Sequence, residues 1–264
     1  MDETIAVTID KIVERVQPLA VVGQTAGVAV THVAFDHRSV TPGSMFCCLV
    51  GAQADGHDFA SLAYRRGAVA FICEHSLGKE VGSTAQLVVG PGMARQAMAL
   101  AACALYDDPA QKMRMVGVTG TNGKTTTTQL LRDIFEVEHW STGVVGTLGG
   151  VRTTPESPRL QRLLSEIHNK GAVACAMEVT SHALAQHRVD GIRFDVAVFT
   201  NLSQDHLDFH HSMESYFAAK AELFTPDRAR FAVICRDDEF GRRLLGKSQI
   251  PAVSYSLEDA HDLE

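Results

Sequence analysis

No stretch of this sequence stays apolar long enough to cross a bilayer. The longest candidate near the start, Leu19 to Val30, is broken by glycine, glutamine and threonine and falls short of the roughly 20 residues a spanning helix needs. No basic segment precedes it, so neither a membrane anchor nor an export signal is expected. An excess of positive charge is missing too: 24 Lys+Arg stand against 31 Asp+Glu, a formal charge of -7. That balance argues against nucleic acid as a partner, because proteins that bind it carry a basic face, and any anionic ligand must be met by local positive charge. The six cysteines, Cys47, Cys48, Cys73, Cys103, Cys175 and Cys235, show no Cys-x-x-Cys spacing and lie mostly inside apolar runs. They read as small buried hydrophobes in a reducing cytoplasm. Internal repeats and an excess of Pro, Ser or Gln are absent as well. What remains is an ordinary globular balance, 45% hydrophobic and 21% charged over 264 residues, enough for two medium domains each with its own core.

The most informative stretch runs from Gly117 to Thr128. An apolar run, Met113 to Val118, leads into Gly-Thr-Asn-Gly-Lys-Thr-Thr, after which Leu130, Leu131, Ile134 and Phe135 recur at helical spacing. Strand, tight loop and helix in that order form a phosphate cradle. Gly120 and Gly123 let the backbone N–H groups of Thr121 and Asn122 turn inward, the helix N-terminus adds a positive dipole end, Lys124 reaches terminal phosphates, and Thr125, next to Thr126, offers a hydroxyl to Mg²⁺. The strict phosphate-loop pattern asks for glycine at 118, where this chain has valine.

Around this loop the chain alternates strand and helix. Residues 1–111 predict a small α/β domain: a helix Ile9–Val16, a Pro-Gly turn before the apolar strand at Met45–Val50, a helix to Arg66, a strand Ala68–Cys73 and a helix Met93–Tyr106. Asp107-Asp108-Pro109 marks a helix end and an interdomain link. Residues 112–264 predict a phosphate-loop domain with a mostly parallel sheet flanked by helices, its strands at Met113–Thr119, Val144–Leu148, Val173–Val179, Val196–Thr200 and Phe231–Cys235, with a helix Pro158–Asn169. One more strand and an acidic tail follow. Ligands of such sheets collect at the carboxyl ends of the strands, which places the loop, Gly146-Thr147, Glu178 and Asn201 on one rim, with Asp205-His206 shortly beyond.

Two charged residues stand where burial is expected. Glu178 ends the apolar strand and needs a partner; a metal ion held jointly with Thr125 is one, solvent is the other. Lys220 shares a helix face with Phe217, Ala221 and Phe224, at i, i+3, i+4 and i+7 spacing. Either its stem covers apolar surface while the ammonium reaches water, or the amine is buried and its pKa depressed. His210 and His211 read as solvated loop residues. Thr153-Thr154-Pro155 reads as a helix start, a hydroxyl cap followed by proline. A surface salt bridge is the plain reading of Arg188.

Thr-Gly-Thr-Asn-Gly-Lys-Thr-Thr, Glu178-Val-Thr-Ser-His182, Asn201-Leu-Ser-Gln-Asp-His-Leu-Asp208 and Tyr216-Phe-Ala-Ala-Lys220 fall in that order, and together they resemble the Mur ligases. So does Asp36-His-Arg-Ser-Val-Thr-Pro-Gly-Ser-Met-Phe46 in the first domain. The resemblance implies an ATP- and Mg²⁺-dependent ligase that activates the D-Glu carboxylate of UDP-N-acetylmuramoyl-L-Ala-D-Glu for attack by diaminopimelate or lysine. It implies catalytic roles for Lys124, Glu178, His206 and Lys220. ATP would be held by Gly120, Thr121, Asn122, Gly123, Lys124, Thr125, Thr126 and Asn201. Metal would be held by Thr125, Glu178, His206 and a carbamylated Lys220. The UDP-sugar peptide would meet His37, Gln53, Ala54, Thr153, Thr154, Thr180, Gln186 and Arg188. His37 and Thr180 stand where the family usually has serine. The family's C-terminal amino-acid-binding domain is expected to be missing here or supplied separately. A non-ligating module that binds ATP and UDP-sugar peptide, or a plain phosphate-loop ATPase, are the alternatives.

Overall fold

The computed structural model describes residues 5–149 and 152–257. The acidic tail and the middle of the Gly149–Thr153 link lie outside them. By contacts the chain divides into two compact units, one of residues up to Asp108 with Ser157–Arg162, the other of Pro109–Glu156 with the residues from Leu163 onward.

The first unit runs β1 (Val7–Thr8), α1 (Ile9–Val16), β2 (Ala20–Val22), β3 (Ala29–Val30), β4 (His32–Ala34), β5 (Ser44–Cys47), α2 (Ala60–Arg65), β6 (Ala68–Cys73), β7 (Ala85–Val88) and α3 (Ala94–Leu105). Five strands form a sheet in the order β2-β7-β6-β5-β4, antiparallel only where β2 meets β7. The unbroken apolar runs of β5 and β6 follow from burial on both faces, since successive side chains point to opposite sides. Met45, Cys47, Ala70 and Ile72 pack with Ile12 of α1 and Met98 and Ala101 of α3. Phe46, Cys48, Phe71 and Cys73 pack with Ala60 and Ala63 of α2. All six cysteines are free and buried, as their apolar surroundings indicate.

The second unit runs β8 (Arg114–Thr119), α4 (Lys124–Val137), β9 (Thr142–Val145), α5 (Ser157–Asn169), β10 (Ala174–Glu178), α6 (Ser181–Ala185), β11 (Phe194–Phe199), α7 (Leu207–His210), α8 (Met213–Ala221), β12 (Ala229–Cys235), α9 (Glu239–Lys247) and β13 (Ala252–Tyr255). Its six strands are ordered β13-β12-β11-β8-β10-β9, every neighbouring pair parallel. After β8 the chain moves to one side of the sheet and after β10 it crosses to the other. The carboxyl ends of β10, β8 and β11 therefore flank the switch point where such sheets bind ligands.

Several local expectations change. The strand expected over Val144–Leu148 is Thr142–Val145, because Thr147–Gly149 turn into a 3₁₀ segment. Of the four apolar residues at helical spacing in α4, Leu131 and Phe135 pack against Val116, Val118 and Val198; Leu130 and Ile134 are each 57% exposed. The helix expected over Pro158–Asn169 is Ser157–Asn169 with Glu156 as its cap, so Thr153-Thr154-Pro155 is not its start. Thr154 is thereby released for a different task. The helix carrying Lys220 ends at Ala221, and Glu222–Phe224 continue as a 3₁₀ turn.

Candidate functional site

β8 ends at Thr119 and the loop Gly120–Gly123 turns into α4. Gly120, at φ +150°, has no room for a side chain: a Cβ there would run into Thr200 Oγ1. Gly123, at φ +84°, caps α4 in the left-handed region, which glycine enters without steric cost. Gly117, by contrast, is a packing residue. It lies inside β8 flush against the Phe194 ring, 2.8 Å from where its Cβ would be.

The segment after β11 holds the loop in shape. Thr121 N donates to Asn201 O at 2.9 Å, Asn122 N donates to Asn201 Oδ1 at 3.0 Å, and Thr200 Oγ1 donates to Asn122 O at 2.6 Å. The first N–H groups of α4 have no partner within the helix, and no side chain caps them. Thr126 is exposed on that same turn. Amides aimed away from the helix at its positive end are suited to phosphate oxygens.

Two ammonium groups converge here. Lys124 Nζ donates to Gly120 O at 2.9 Å and to Thr121 O at 2.7 Å. Lys220 Nζ donates to the same Gly120 O at 2.9 Å and lies 4.6 Å above the Tyr216 ring. Lys220 is 2% exposed, so it is a buried amine and its ammonium does not reach water. Burial first, then the nearby Lys124 charge, push its pKa down to about 7, with Asp205 opposing. Burial lowers that of Lys124 as well, against the pull of Glu178 and Asp205. Neither ammonium hydrogen-bonds a carboxylate among the described residues; both spend their donors on neutral carbonyls. A pair of half-compensated cations below a ring of amides is a seat for an anion.

Glu178 is buried, not a solvent-facing strand end. Its Oε1 accepts from Thr125 Oγ1 at 3.0 Å and from Thr147 N at 2.8 Å. Gly146 has to be glycine, because a Cβ there would strike that carboxylate. A hydroxyl and a carboxylate that already meet beside a phosphate cradle are the oxygen donors Mg²⁺ prefers. No group of three or more His, Cys, Asp or Glu side chains is arranged to hold a metal among the described residues. His206 is exposed, with its ring 6.2 Å from that of Tyr216.

Thr154 is buried and ties the next segment to Glu178. Its hydroxyl donates to Glu178 O at 2.9 Å and accepts from Thr180 N at 3.2 Å. Thr180 caps α6 through Ala183 N. Arg188, expected on the surface, is buried: it donates to Thr154 O at 2.9 Å and to Gln186 Oε1 at 2.6 Å, and pairs with Glu156 at 2.9 Å. Thr153 Oγ1 lies 3.0 Å from Thr147 Oγ1.

His210 also departs from expectation. It is buried, with Nε2 2.8 Å from Ser181 Oγ, and burial together with His182 and Lys220 lowers its pKa to about 4; His211 is exposed. His182, His210 and Tyr216 pack as rings beside Lys220. Tyr216 was legible in principle, since it precedes Lys220 by four residues on α8 and so shares its face. Nothing in the spacing marked His210.

In the first unit a separate cavity of about 370 Å³ is lined by Phe35, His37, Arg38, Ala54 and Phe59 among others. His37 stacks on Phe59 with centroids 4.7 Å apart, and Gly51 N donates to Ala54 O across the turn that holds the exposed Gln53.

A parallel α/β sheet with this loop at its switch point defines a phosphate-loop nucleotide-binding protein. Residues 118–264 match the family described as Mur ligase middle domain, and residues 29–112 that described as Mur ligase family, catalytic domain; the chain belongs to the Mur ligase family. It is 42% identical over 244 residues to the UDP-N-acetylmuramoyl-L-alanyl-D-glutamate--2,6-diaminopimelate ligase of Geobacillus thermodenitrificans, covering 86% of this chain and 49% of that protein. To the ligase of the same name from Geobacter sulfurreducens it is 43% identical, covering 92% and 50%. A solved structure of a ligase so named superposes with a TM-score of 0.79 at 30% identity, covering 94% of this chain and 53% of that one. The chain thus spans about half the length of the curated relatives it matches. No helix among the described residues is long and apolar enough to cross a membrane.

Proposed function

We propose that this chain binds ATP on the phosphate loop and UDP-N-acetylmuramoyl-L-Ala-D-Glu beside it, and takes part in joining diaminopimelate to that substrate. Mur ligases are ATP-dependent, and the relatives above are named for this diamino acid. In the proposed reaction an oxygen of the D-Glu carboxylate attacks the γ-phosphorus and ADP leaves. The amine of diaminopimelate then attacks the acyl carbon, phosphate leaves, and an amide remains. Residues 1–111 hold the uridine diphosphate, with His37 and Ala54 in the wall of the first unit's cavity and Gln53 next to Ala54 in the chain; residues 112–264 hold ATP. The work is cytoplasmic.

The observation that carries this reading is the convergence of Lys124 and Lys220 on Gly120 O beside the Thr125–Glu178 pair. Charge on a transferring phosphoryl group has to be offset by fixed cations and amides. Lys124 and the amides of Lys124 to Thr126 at the start of α4 take that part, while Thr121 and Asn122, whose amides are bonded to Asn201, hold the loop in shape. Mg²⁺, held by Thr125 and Glu178 with His206 and a carbamylated Lys220, would supply further positive charge on the phosphate oxygens. Thr153, Thr154, Thr180, Gln186 and Arg188 present hydroxyl, amide and guanidinium groups to the peptide portion, and Arg188 is held in place by Thr154, Gln186 and Glu156. An amine whose pKa is near 7 is neutral often enough at physiological pH to take up carbon dioxide.

Equilibrium titration with ATP and Mg²⁺ tests the loop. Lys124→Ala weakens ATP at least tenfold, the scale of one lost charge-assisted contact, and leaves the circular dichroism spectrum and UDP-sugar peptide affinity unchanged. ADP release rises on adding UDP-N-acetylmuramoyl-L-Ala-D-Glu. Unchanged ATP affinity, or ADP release indifferent to the UDP-sugar peptide, overturns the reading.

A further inference from the structure

We propose that the amino-terminal edge of the six-stranded sheet carries a second anion site, suited to a small molecule with two or more phosphate groups. This goes beyond the ligase reading and does not rest on it. A cavity of about 620 Å³ opens at that edge, with Lys112, Arg114, Arg193, Asp195 and Arg230 in its wall. Its size is that of a small-molecule pocket. Four cations against one carboxylate are out of keeping with a chain whose formal charge is -7.

The sheet register assembles the cluster. β12, β11 and β8 are neighbours, and Phe194 pairs with Ala229 and Val196 with Phe231, which sets Asp195 level with Arg230. Asp195 Oδ2 accepts from Met115 N at 2.9 Å, anchoring the carboxylate to β8. Its Oδ1 then meets Arg114 Nη1 at 3.3 Å and Arg230 Nη1 at 3.6 Å. Two guanidiniums from strands two places apart are thereby drawn side by side on one oxygen, and Arg193, just before β11, adds a third. All three arginines are exposed on the cavity side of their strands' starts. Asp195 offsets one positive charge and leaves a surplus.

That surplus selects the ligand class. A guanidinium fork matches phosphate oxygens in pairs. Three such forks offer more paired donors than the oxygens of a single phosphate group can accept, whereas an oligophosphate can engage all three. The cavity and the phosphate loop lie at opposite ends of β8, whose six residues span about 20 Å. An anion in one does not obstruct the other.

Calorimetric titration of the 264-residue chain with inorganic tripolyphosphate in magnesium-free buffer tests this. In Lys124→Ala, where the loop is disabled, one equivalent of binding remains. Adding Arg193→Ala and Arg230→Ala weakens it at least tenfold with an unchanged circular dichroism spectrum, while Arg132→Ala, an exposed arginine elsewhere, leaves it as it was. Should the change at Arg230 disturb β12, Arg193→Gln alone decides, with a loss of at least about threefold. A parallel titration with ADP separates the sources: equal affinity means that the pocket reads phosphates alone, and tighter ADP means that the nucleoside adds contacts. Absence of residual binding in Lys124→Ala, or residual binding indifferent to Arg193 and Arg230, overturns the proposal. Failure here leaves the ATP result for Lys124 untouched, so the two readings fall separately.

Discussion

Lys220 shows how much one residue's meaning depends on its surroundings. Its place on an apolar stripe left two readings open, an ammonium in water or a buried amine, and burial on all sides decided for the second. The consequence for stability has a definite sign. The folded protein loses the Lys220 proton near pH 7, while the unfolded chain keeps it up to the ordinary value of 10.5. Between those values the unfolded state binds more protons, so the lysine's penalty on folding fades as pH rises. Urea unfolding in metal-free buffer purged of carbon dioxide is expected to show wild type gaining on Lys220→Met between about pH 7 and about pH 9; a constant gap would mean that Lys220 is charged when folded. With bicarbonate present, intact mass is expected to show a carbon dioxide adduct that disappears in Lys220→Ala. An adduct that survives the substitution assigns it to another amine.

At the scale of elements, three connections at the carboxyl edge of the sheet close on one residue, two on its carboxylate and one on its main-chain carbonyl. The turn after β9 supplies Thr147, the first turn of α4 supplies Thr125, and the segment before α5 supplies Thr154, all bonded to Glu178. Gly146 makes the approach possible. Gly146→Ala drives a methyl into the carboxylate and is expected to cost about 1–3 kcal/mol in chemical unfolding, as overpacking does, while also weakening ATP with Mg²⁺ several-fold. Full stability with full affinity would show that Glu178 has another place to go. The sequence made Glu178 visible as a charge at the end of an apolar strand. It did not show that Thr154 belongs to it, because a hydroxyl ahead of a proline is as good a helix cap as it is a tertiary donor, and only the start of α5 at Ser157 distinguishes the two. The burial of His210 is hidden for a related reason: a histidine four residues past His206 carries no local mark of burial, which here comes from Ser181 and Tyr216 on other elements.

For the molecule as a whole, net negative charge and several anionic ligands are compatible because the cations are gathered into pockets. The proposed function puts uridine and adenine nucleotides in different units, so their binding is expected to be separable. His37→Ala removes half of the stacked pair with Phe59 and is expected to weaken uridine diphosphate about tenfold, the upper range for an aromatic contact, with ADP affinity unchanged. Competition between the two nucleotides in wild type, or a matching loss of ADP, would place both in one site.

By itself the sequence determined the phosphate loop, the alternation of strand and helix, the burial of the cysteines and the family. Each of these is written in short-range terms: glycine spacing before Lys124, apolar runs of strand length, hydrophobic periods, contiguous motifs. The tertiary structure alone decided what those motifs share. Gly120 O accepts from two lysines almost a hundred residues apart in the chain, and three arginines meet at a cavity because β8, β11 and β12 are neighbours in the sheet though not in sequence. Strand order and register bring such groups together, and neither is encoded in any local pattern.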